Sequence, residues 1–278
     1  MLIFIYFCHL CSLSIMPYFL VENNIQPGLT VEVSGSEARH ILLAQRVKVG
    51  EIIKVQGPDG KRFECEVSEV KKDRLKIVAK KEVGVPPEPD KQVVLFQAVV
   101  AEQALDTILQ KSTELRAAKI VLFNSERVGT KLSSDRWQSK KDRWNKILWE
   151  AAKQSERAKP PELEFVSNFK DAVTRASKVD QVILLDPDSS SNLKSSISNP
   201  SAHSAVAQGR PEGTRGAAGS GQVLKSIGLV VGPEGGLTEQ ENQEFKSLPN
   251  CLPVNLGPIL LRADTAVIAS LAIVQNLI

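Results

Sequence analysis

The sequence keeps few residues for cross-links or metal sites. Its 278 residues include four cysteines and three histidines. Cys8 and Cys11 have the spacing of half a zinc site, with His9 between them. No second ligand pair follows, so no metal centre is expected. His203 also stands without partner ligands. With Cys65 and Cys251 alone remaining, no disulfide framework exists, which fits a reducing cytosol. Excess charge is missing too. Lys and Arg number 35 against 32 Asp and Glu, so any nucleic-acid contact has to come from a local patch. The two most apolar stretches also fall short of membrane signals. Met1–Ile15 has no Lys or Arg ahead of its apolar run, as a secretory signal requires. It reads as upstream translation before Met16, with a membrane-associating tail as the alternative. Thr265–Ile278 is almost wholly apolar but too short to cross a bilayer, so it reads as a helix buried in a core or a subunit interface.

What is present is an ordinary globular balance, 42% apolar and 24% charged, in a chain long enough for two domains. The stiff segment Val85–Asp90, VPPEPD, reads as a linker. Ahead of it, Thr30–Val33, Glu51–Gln56, Arg62–Val70 and Arg74–Ala79 read as strands, joined by the turns at Pro58-Asp59-Gly60 and Lys72-Asp73. Beyond it strands and helices alternate. Gln92–Val100, Ile120–Phe123, Val182–Leu185 and Leu229–Val231 are apolar or β-branched runs, and Ala104–Leu115 has helical spacing. Lys131–Lys159 holds all three tryptophans. Trp137, Trp144, Ile147, Leu148 and Ala151 share one helical face, and Arg136, Lys140, Lys141, Arg143 and Lys146 lie on another. Ser189–Gly221 is rich in Ser, Gly and Ala without an apolar period and reads as a flexible surface insertion.

The chemistry concentrates after Gly228. The strand at Leu229–Val231 runs into Gly232-Pro233-Glu234-Gly235-Gly236, a sharp loop with exposed backbone groups. Thr238 and Glu241 form a capping box, so a helix starts there. The loop therefore makes a ligand-sized notch at the carboxyl end of a strand. It is neither a P-loop nor a dinucleotide fingerprint, because the Gly-Lys-Ser/Thr and G-x-G-x-x-G spacings are absent. A second apolar run, Leu252–Leu256, is stopped by Gly257-Pro258, and the loop Ile259–Asp264 carries Arg262 and Asp264.

The pattern GPEGG-L-T-x-x-E followed by LG-P-x-x-LR-x-D-T-A resembles the C-terminal signature of SPOUT methyltransferases, in particular the RsmE family, which methylates N3 of a uridine in small-subunit ribosomal RNA. His40–Gly50 resembles that family's H-x-x-x-V-L-R-x-x-x-G, with Gln45 in place of leucine. Gln110–Leu115 is similar to its Q-K-x-T-E-L, and Glu150–Arg157 to its E-A-A-x-Q-S-x-R, with Glu156 for the usual glycine. Ser125-Glu126-Arg127 also matches. Departures are Ala101-Glu102 for Lys-Gly, Arg116 for Gly, Ile259 for Arg and Asp264 for Glu.

The resemblance implies an α/β SPOUT domain with a trefoil knot over residues 92–278, preceded by a PUA-like β-barrel over 16–84 and a linker at 85–91. It implies S-adenosyl-L-methionine as cofactor, held by Leu185, Gly232, Pro233, Glu234, Gly235, Gly236, Leu256, Gly257, Leu260, Leu261 and Thr265. Arg262, Glu234 and Asp264 are the catalytic candidates. His40, Arg46, Glu114, Ser125, Glu126, Arg127, Gln154 and Arg157 are expected to contact RNA. The implied partners are small-subunit ribosomal RNA and a second copy of the chain, in the cytoplasm and without a membrane. A ribose 2′-O methyltransferase of the same superfamily and a non-catalytic RNA-binding protein are the alternatives.

Overall fold

A computed structural model describes residues 18–44, 46–198 and 224–277. The Met1–Ile15 segment, its cysteine pair and His203 lie outside these residues. The chain divides into two compact units. One runs up to Pro87 and includes Glu156–Lys159; the other comprises Glu88–Ser155 and the chain from Pro160 onward.

The first unit contains β1 (Phe19–Leu20), β2 (Thr30–Ser34), α1 (Gly35–Ala44), β3 (Ile52–Gln56), β4 (Arg62–Val70) and β5 (Arg74–Val83). The strands form one sheet in the order β1-β3-β4-β5-β2. Alternation in β2 turns Val31 and Val33 inward while Thr30, Glu32 and Ser34 stay exposed. Those valines join Phe19, Ile41, Phe63 and Ile77 in the core. The four residues Glu156–Lys159 complete this unit. The Tyr18 hydroxyl donates to the Arg157 carbonyl at 2.6 Å, and Gln56 Nε2 donates to the Ala158 carbonyl at 2.7 Å. The Arg62 guanidinium lies 3.8 Å over the Tyr18 ring and donates to Gln56 Oε1 and to the carbonyls of Glu156 and Arg157. Burial lowers the Arg62 pKa from its ordinary value. Sequence order assigned residues 156–159 to the second domain; packing puts them in the first.

The second unit contains β6 (Gln92–Ala98), α2 (Glu102–Glu114), β7 (Lys119–Phe123), α3 (Ser134–Gln154), β8 (Glu162–Val166), α4 (Phe169–Ala176), β9 (Gln181–Leu185), α5 (Leu193–Ser198), β10 (Ser226–Val231), α6 (Glu239–Lys246), β11 (Cys251–Val254) and α7 (Ala263–Leu277). Its sheet runs β11-β9-β10-β6-β7-β8, with every neighbouring pair parallel. The strands are continuous apolar runs because helices cover both faces. On one side α2, α3, α5 and α7 bury Leu95, Ile108, Trp144, Leu148, Leu229 and Leu271. On the other, α4 and α6 cover Phe96, Phe123 and Val230.

From β6 the chain steps outward through β7 and β8, then returns to build β9, β10 and β11 on the opposite side. The β6–β10 pair is therefore where the winding reverses, and the crevice beyond its carboxyl ends is the expected ligand position.

The start of the predicted flexible insertion belongs to this fold. Leu193 of α5 is fully buried, and Ile197 packs against the same core. The Leu193 N–H donates to the Asn255 carbonyl at 2.9 Å, and Ser189 Oγ donates to the Pro253 carbonyl at 2.8 Å. Two apolar side chains one helical turn apart and these hydrogen bonds together hold this end on the domain. The rest of the predicted insertion, from residue 199 on, lies outside the described residues.

Candidate active site

The glycine loop after β10 is shaped by its neighbours at atomic range. A Cβ added to Gly232 would stand 3.1 Å from the Leu237 backbone nitrogen, and Gly236 adopts a φ of +69°. The Gly236 N–H donates to the Pro233 carbonyl at 2.9 Å and closes the turn. Gln97, fully buried at the end of β6, donates through Nε2 to the Gly232 carbonyl at 3.4 Å. Arg127 donates to the Gly235 carbonyl at 3.3 Å.

Glu241 ties this loop to the one after β7. The Thr238 side chain accepts from the Glu241 N–H at 3.2 Å, and the Glu241 carboxylate accepts from the Thr238 N–H at 2.9 Å, completing the predicted capping box. The same carboxylate, only 7% exposed, accepts from Ser125 Oγ and from the Glu126 N–H, both at 2.8 Å. Ser125 is consequently buried and cannot meet RNA as expected; it is a strut between two loops. The side chains of Glu126 and Arg127 stay exposed.

Glu234, expected among the catalytic groups, is turned to another task. One of its oxygens accepts from the Ala101 N–H at 2.9 Å, at the start of α2. An acidic side chain there complements the helix dipole and satisfies an orphan donor. Glu234 thus joins the glycine loop to the segment after β6, and among the described residues it has no hydrogen bond or ion pair with Arg262 or Asp264.

The loop after β11 has a different character. Asn255 Oδ1 accepts from the Gly257 N–H at 3.0 Å, and Gly257 takes a φ of +115°, open to glycine but strained for other residues. Leu256 and Leu261 are half-buried, whereas Leu260 is 80% exposed. Arg262 is also exposed and lies 3.9 Å from Asp264 Oδ1. That carboxylate accepts from the Thr265 N–H at 2.9 Å, inside the first turn of α7. The helix starts at Ala263, so Asp264, expected at the end of the loop, is helical, as Thr265 is expected to be. Leu185 ends β9 half-buried, and Asp186 beside it is buried with Lys246 Nζ at 2.8 Å. Hydrogen bonding to this carboxylate raises the Lys246 pKa.

Among the other expected RNA contacts, Arg157 is corrected. It is 3% exposed and belongs to the first unit's interior, so it offers no open surface. Gln154 is exposed at the end of α3. Glu114 is paired with Lys111 at 2.8 Å. In the first unit, His40 packs edge-on to Phe19 with 5.8 Å between ring centroids, and Arg46 is exposed with a φ of +52°. The basic face of α3 is partly neutralised, because Lys140 pairs with Glu102 and Arg143 with Glu102 and Asp106.

Sequence reading missed Gln97, the cross-loop role of Glu241, and Arg62. Gln97 carries a visible signal, an amide set directly after the apolar run Val93–Phe96. The partners of the other two lie too far away along the chain to be read locally.

A family model described as RNA methyltransferase domain matches residues 86–275. Ribosomal RNA small subunit methyltransferase E of Bacillus subtilis (strain 168) is 29% identical over 256 residues, covering 92% of this chain and 93% of the relative. The protein of the same name from Aquifex aeolicus is 28% identical over 221 residues, covering 78% of this chain and 82% of the relative. Among solved structures, a ribosomal RNA small subunit methyltransferase E from Neisseria gonorrhoeae bound to S-adenosyl methionine aligns with a TM-score of 0.73 at 27% identity. The alignment covers 94% of this chain and 98% of that one.

Proposed function

The chain belongs to the RNA methyltransferase family whose model spans residues 86–275, and from that premise we propose that it methylates N3 of a uridine in small-subunit ribosomal RNA with S-adenosylmethionine. The observation that carries this reading is the pair of glycine-turned loops, 232–236 and 256–261, at the carboxyl ends of β10 and β11. The residues fit such a cofactor. The Gly232 backbone packs so close to Leu237 that a side chain would displace it. The two loops offer backbone donors and acceptors, and Leu185, Leu256 and Leu260 offer apolar surface beside them. The cofactor supplies a sulfonium-activated methyl group.

The chain's own residues bind, orient and handle one proton. Backbone groups of Gly232–Gly236 and Leu256–Leu261 would hold the cofactor, and Thr265 and α7 would close behind it. This closure is a trefoil knot in our reading. N3 of uracil must lose its proton before it can attack. With Glu234 bound to the Ala101 N–H, that work falls to Arg262 and Asp264. Arg262 stabilises the uracil anion and Asp264 receives the proton.

The first unit, PUA-like in this reading, holds RNA through the exposed Arg46 and through His40. In the second unit, the exposed Glu126, Arg127 and Gln154 contact RNA in this reading. The half-exposed apolar positions of α7, Ile268 and Ala272 among them, support a symmetric homodimer. An assembled small subunit as substrate places the protein in the cytoplasm. No helix among the described residues is long and apolar enough to cross a membrane.

The test is nuclease digestion and mass spectrometry of small ribosomal subunits after incubation with the protein and S-adenosylmethionine. N3-methyluridine is expected. A label on ribose 2′-O, or in transfer RNA alone, overturns the reading.

A further inference from the structure

Where β6 and β10 separate, one side-chain amide continues their ladder. The backbone pairing ends with Gln97 level with Val231. In the continued register Ala98 is level with Gly232, and the next residue, Pro233, has no N–H to offer β6. The Val99 N–H is already taken by the Phe123 carbonyl of β7 at 2.8 Å. Gln97 Nε2 fills the gap. It donates to the Ala98 carbonyl at 2.8 Å and, more loosely, to the Gly232 carbonyl at 3.4 Å. Two carbonyls thus share one amide where the glycine loop leaves the sheet.

The placement is unfavourable for folding. Gln97 is fully buried between apolar strand partners, Val231 on β10 and Leu122 on β7. Its Oε1 is buried too and accepts no hydrogen bond among the described residues. Native proteins keep few such acceptors, because an unpaired one loses its water and gains nothing. Turning the amide round would set Oε1 against two carbonyl oxygens, so only one orientation serves. An apolar residue of the same size would fill the place without a bare acceptor. What the amide alone provides is a grip on the first peptide of the loop. Gly232 also packs against Leu237, whose backbone nitrogen would stand 3.1 Å from an added Cβ.

We propose that Gln97 is a positioning residue for the methyl donor. Its amide fixes the direction of the Gly232 carbonyl, and through it the course of the 232–236 loop, without touching donor or RNA. The proposal rests on the reading that places S-adenosylmethionine at this loop. It assigns the loop's shape to a side chain of the neighbouring strand, 135 residues earlier in the chain.

The test is calorimetric titration of the full chain with S-adenosylmethionine, well below the unfolding temperature of each variant. Gln97→Met keeps the volume and removes the donor. It is expected to weaken binding about tenfold, the weight of one hydrogen bond. The KM for small ribosomal subunits is expected to stay within about twofold of the parent's. Gln97→Glu supplies the rescue. Its carboxyl can donate to a carbonyl only while protonated, and burial raises its pKa. Its affinity, taken as a ratio to that of Gln97→Met at each pH, is therefore expected to rise as pH falls. A Gln97→Met protein that binds the donor as tightly as the parent overturns the proposal. So does a ratio that stays flat between about pH 5 and 9, or an equal rise in the KM for donor and for subunits, which marks a general loss of structure. A parent that binds no S-adenosylmethionine removes the functional reading and the proposal with it. A parent that binds it beside unaffected variants loses the positioning role alone.

Discussion

Glu241 does more than cap a helix, and its neutral isostere measures how much. The carboxylate is buried and accepts three hydrogen bonds, from the Thr238 N–H, Ser125 Oγ and the Glu126 N–H, at 2.8–2.9 Å. Glu241→Gln keeps the shape but turns one acceptor into a donor. The less harmful amide orientation points its NH₂ at the Glu126 N–H, so that bond is lost and two donors face each other. The two remaining bonds become neutral. A hydrogen bond to a charged group contributes about 1.5–3 kcal/mol and a neutral one about 1 kcal/mol, so the whole substitution is expected to cost about 3 kcal/mol. In a unit of this size that lowers Tm by roughly 6–12 °C. Scanning calorimetry of the full chain reads this, and calorimetric titration with S-adenosylmethionine then reads the site. Affinity is expected to fall, because the 232–236 loop loses its anchor to the β7 loop. An unfolding temperature within about 2 °C of the parent refutes the energetics, since surface-type substitutions have effects that small. A lowered Tm with parental affinity refutes the positioning role.

Four further outcomes are expected. Leu193→Ala removes a fully buried side chain and should destabilise by about 2–5 kcal/mol, read as a shifted urea midpoint. The Asp180 carboxyl is held below its usual range by the backbone N–H groups of Lys225 and Ser226. Its contribution is therefore present above the unfolded value of about 3.9 and is lost as pH falls through the lower folded value; Asp180→Asn should flatten the urea midpoint against pH in that acidic window. Arg262→Ala, at an exposed position, should leave stability within about 0.5 kcal/mol and cut methyl transfer far more than cofactor affinity. Gly232→Ala should weaken calorimetric S-adenosylmethionine binding, because its Cβ would meet backbone rather than a yielding side chain.

The sequence makes the parallel sheet legible because strands buried on both faces leave unbroken apolar runs, as in Leu229–Val231 and Ile120–Phe123. The capping box is equally plain, since its two members are three residues apart. What stays hidden depends on distance along the chain. Glu241 and Ser125 are 116 residues apart, and no local pattern links them. Arg157 is expected at RNA through the resemblance of Glu150–Arg157 to the family pattern, yet it is buried by strands more than ninety residues earlier. Leu193 is concealed differently: two apolar residues at helical spacing are outvoted by the serine-rich composition around them. Glu234 is readable as an acid in a loop, but its bond to the Ala101 N–H emerges only once β6 and β10 are neighbours.

The four residues Glu156–Lys159 impose a timetable on the molecule. Arg157 follows Tyr18 by 139 positions, so a ribosome making the chain releases the strands of the first unit long before the carbonyls they need. Until then the Arg62 guanidinium would have to be buried short of acceptors, which is unfavourable, or wait in water. The first unit therefore matures after α3 has been synthesised, although its strands come first. Waiting adds little afterwards, because the entropy of closing a loop rises only slowly with its length. The same dependence bears on dissection. A fragment cut at the proline-rich linker keeps Arg62 and Gln56 and loses their distant acceptors, so it should fold poorly unless the Glu156–Lys159 strip is supplied with it.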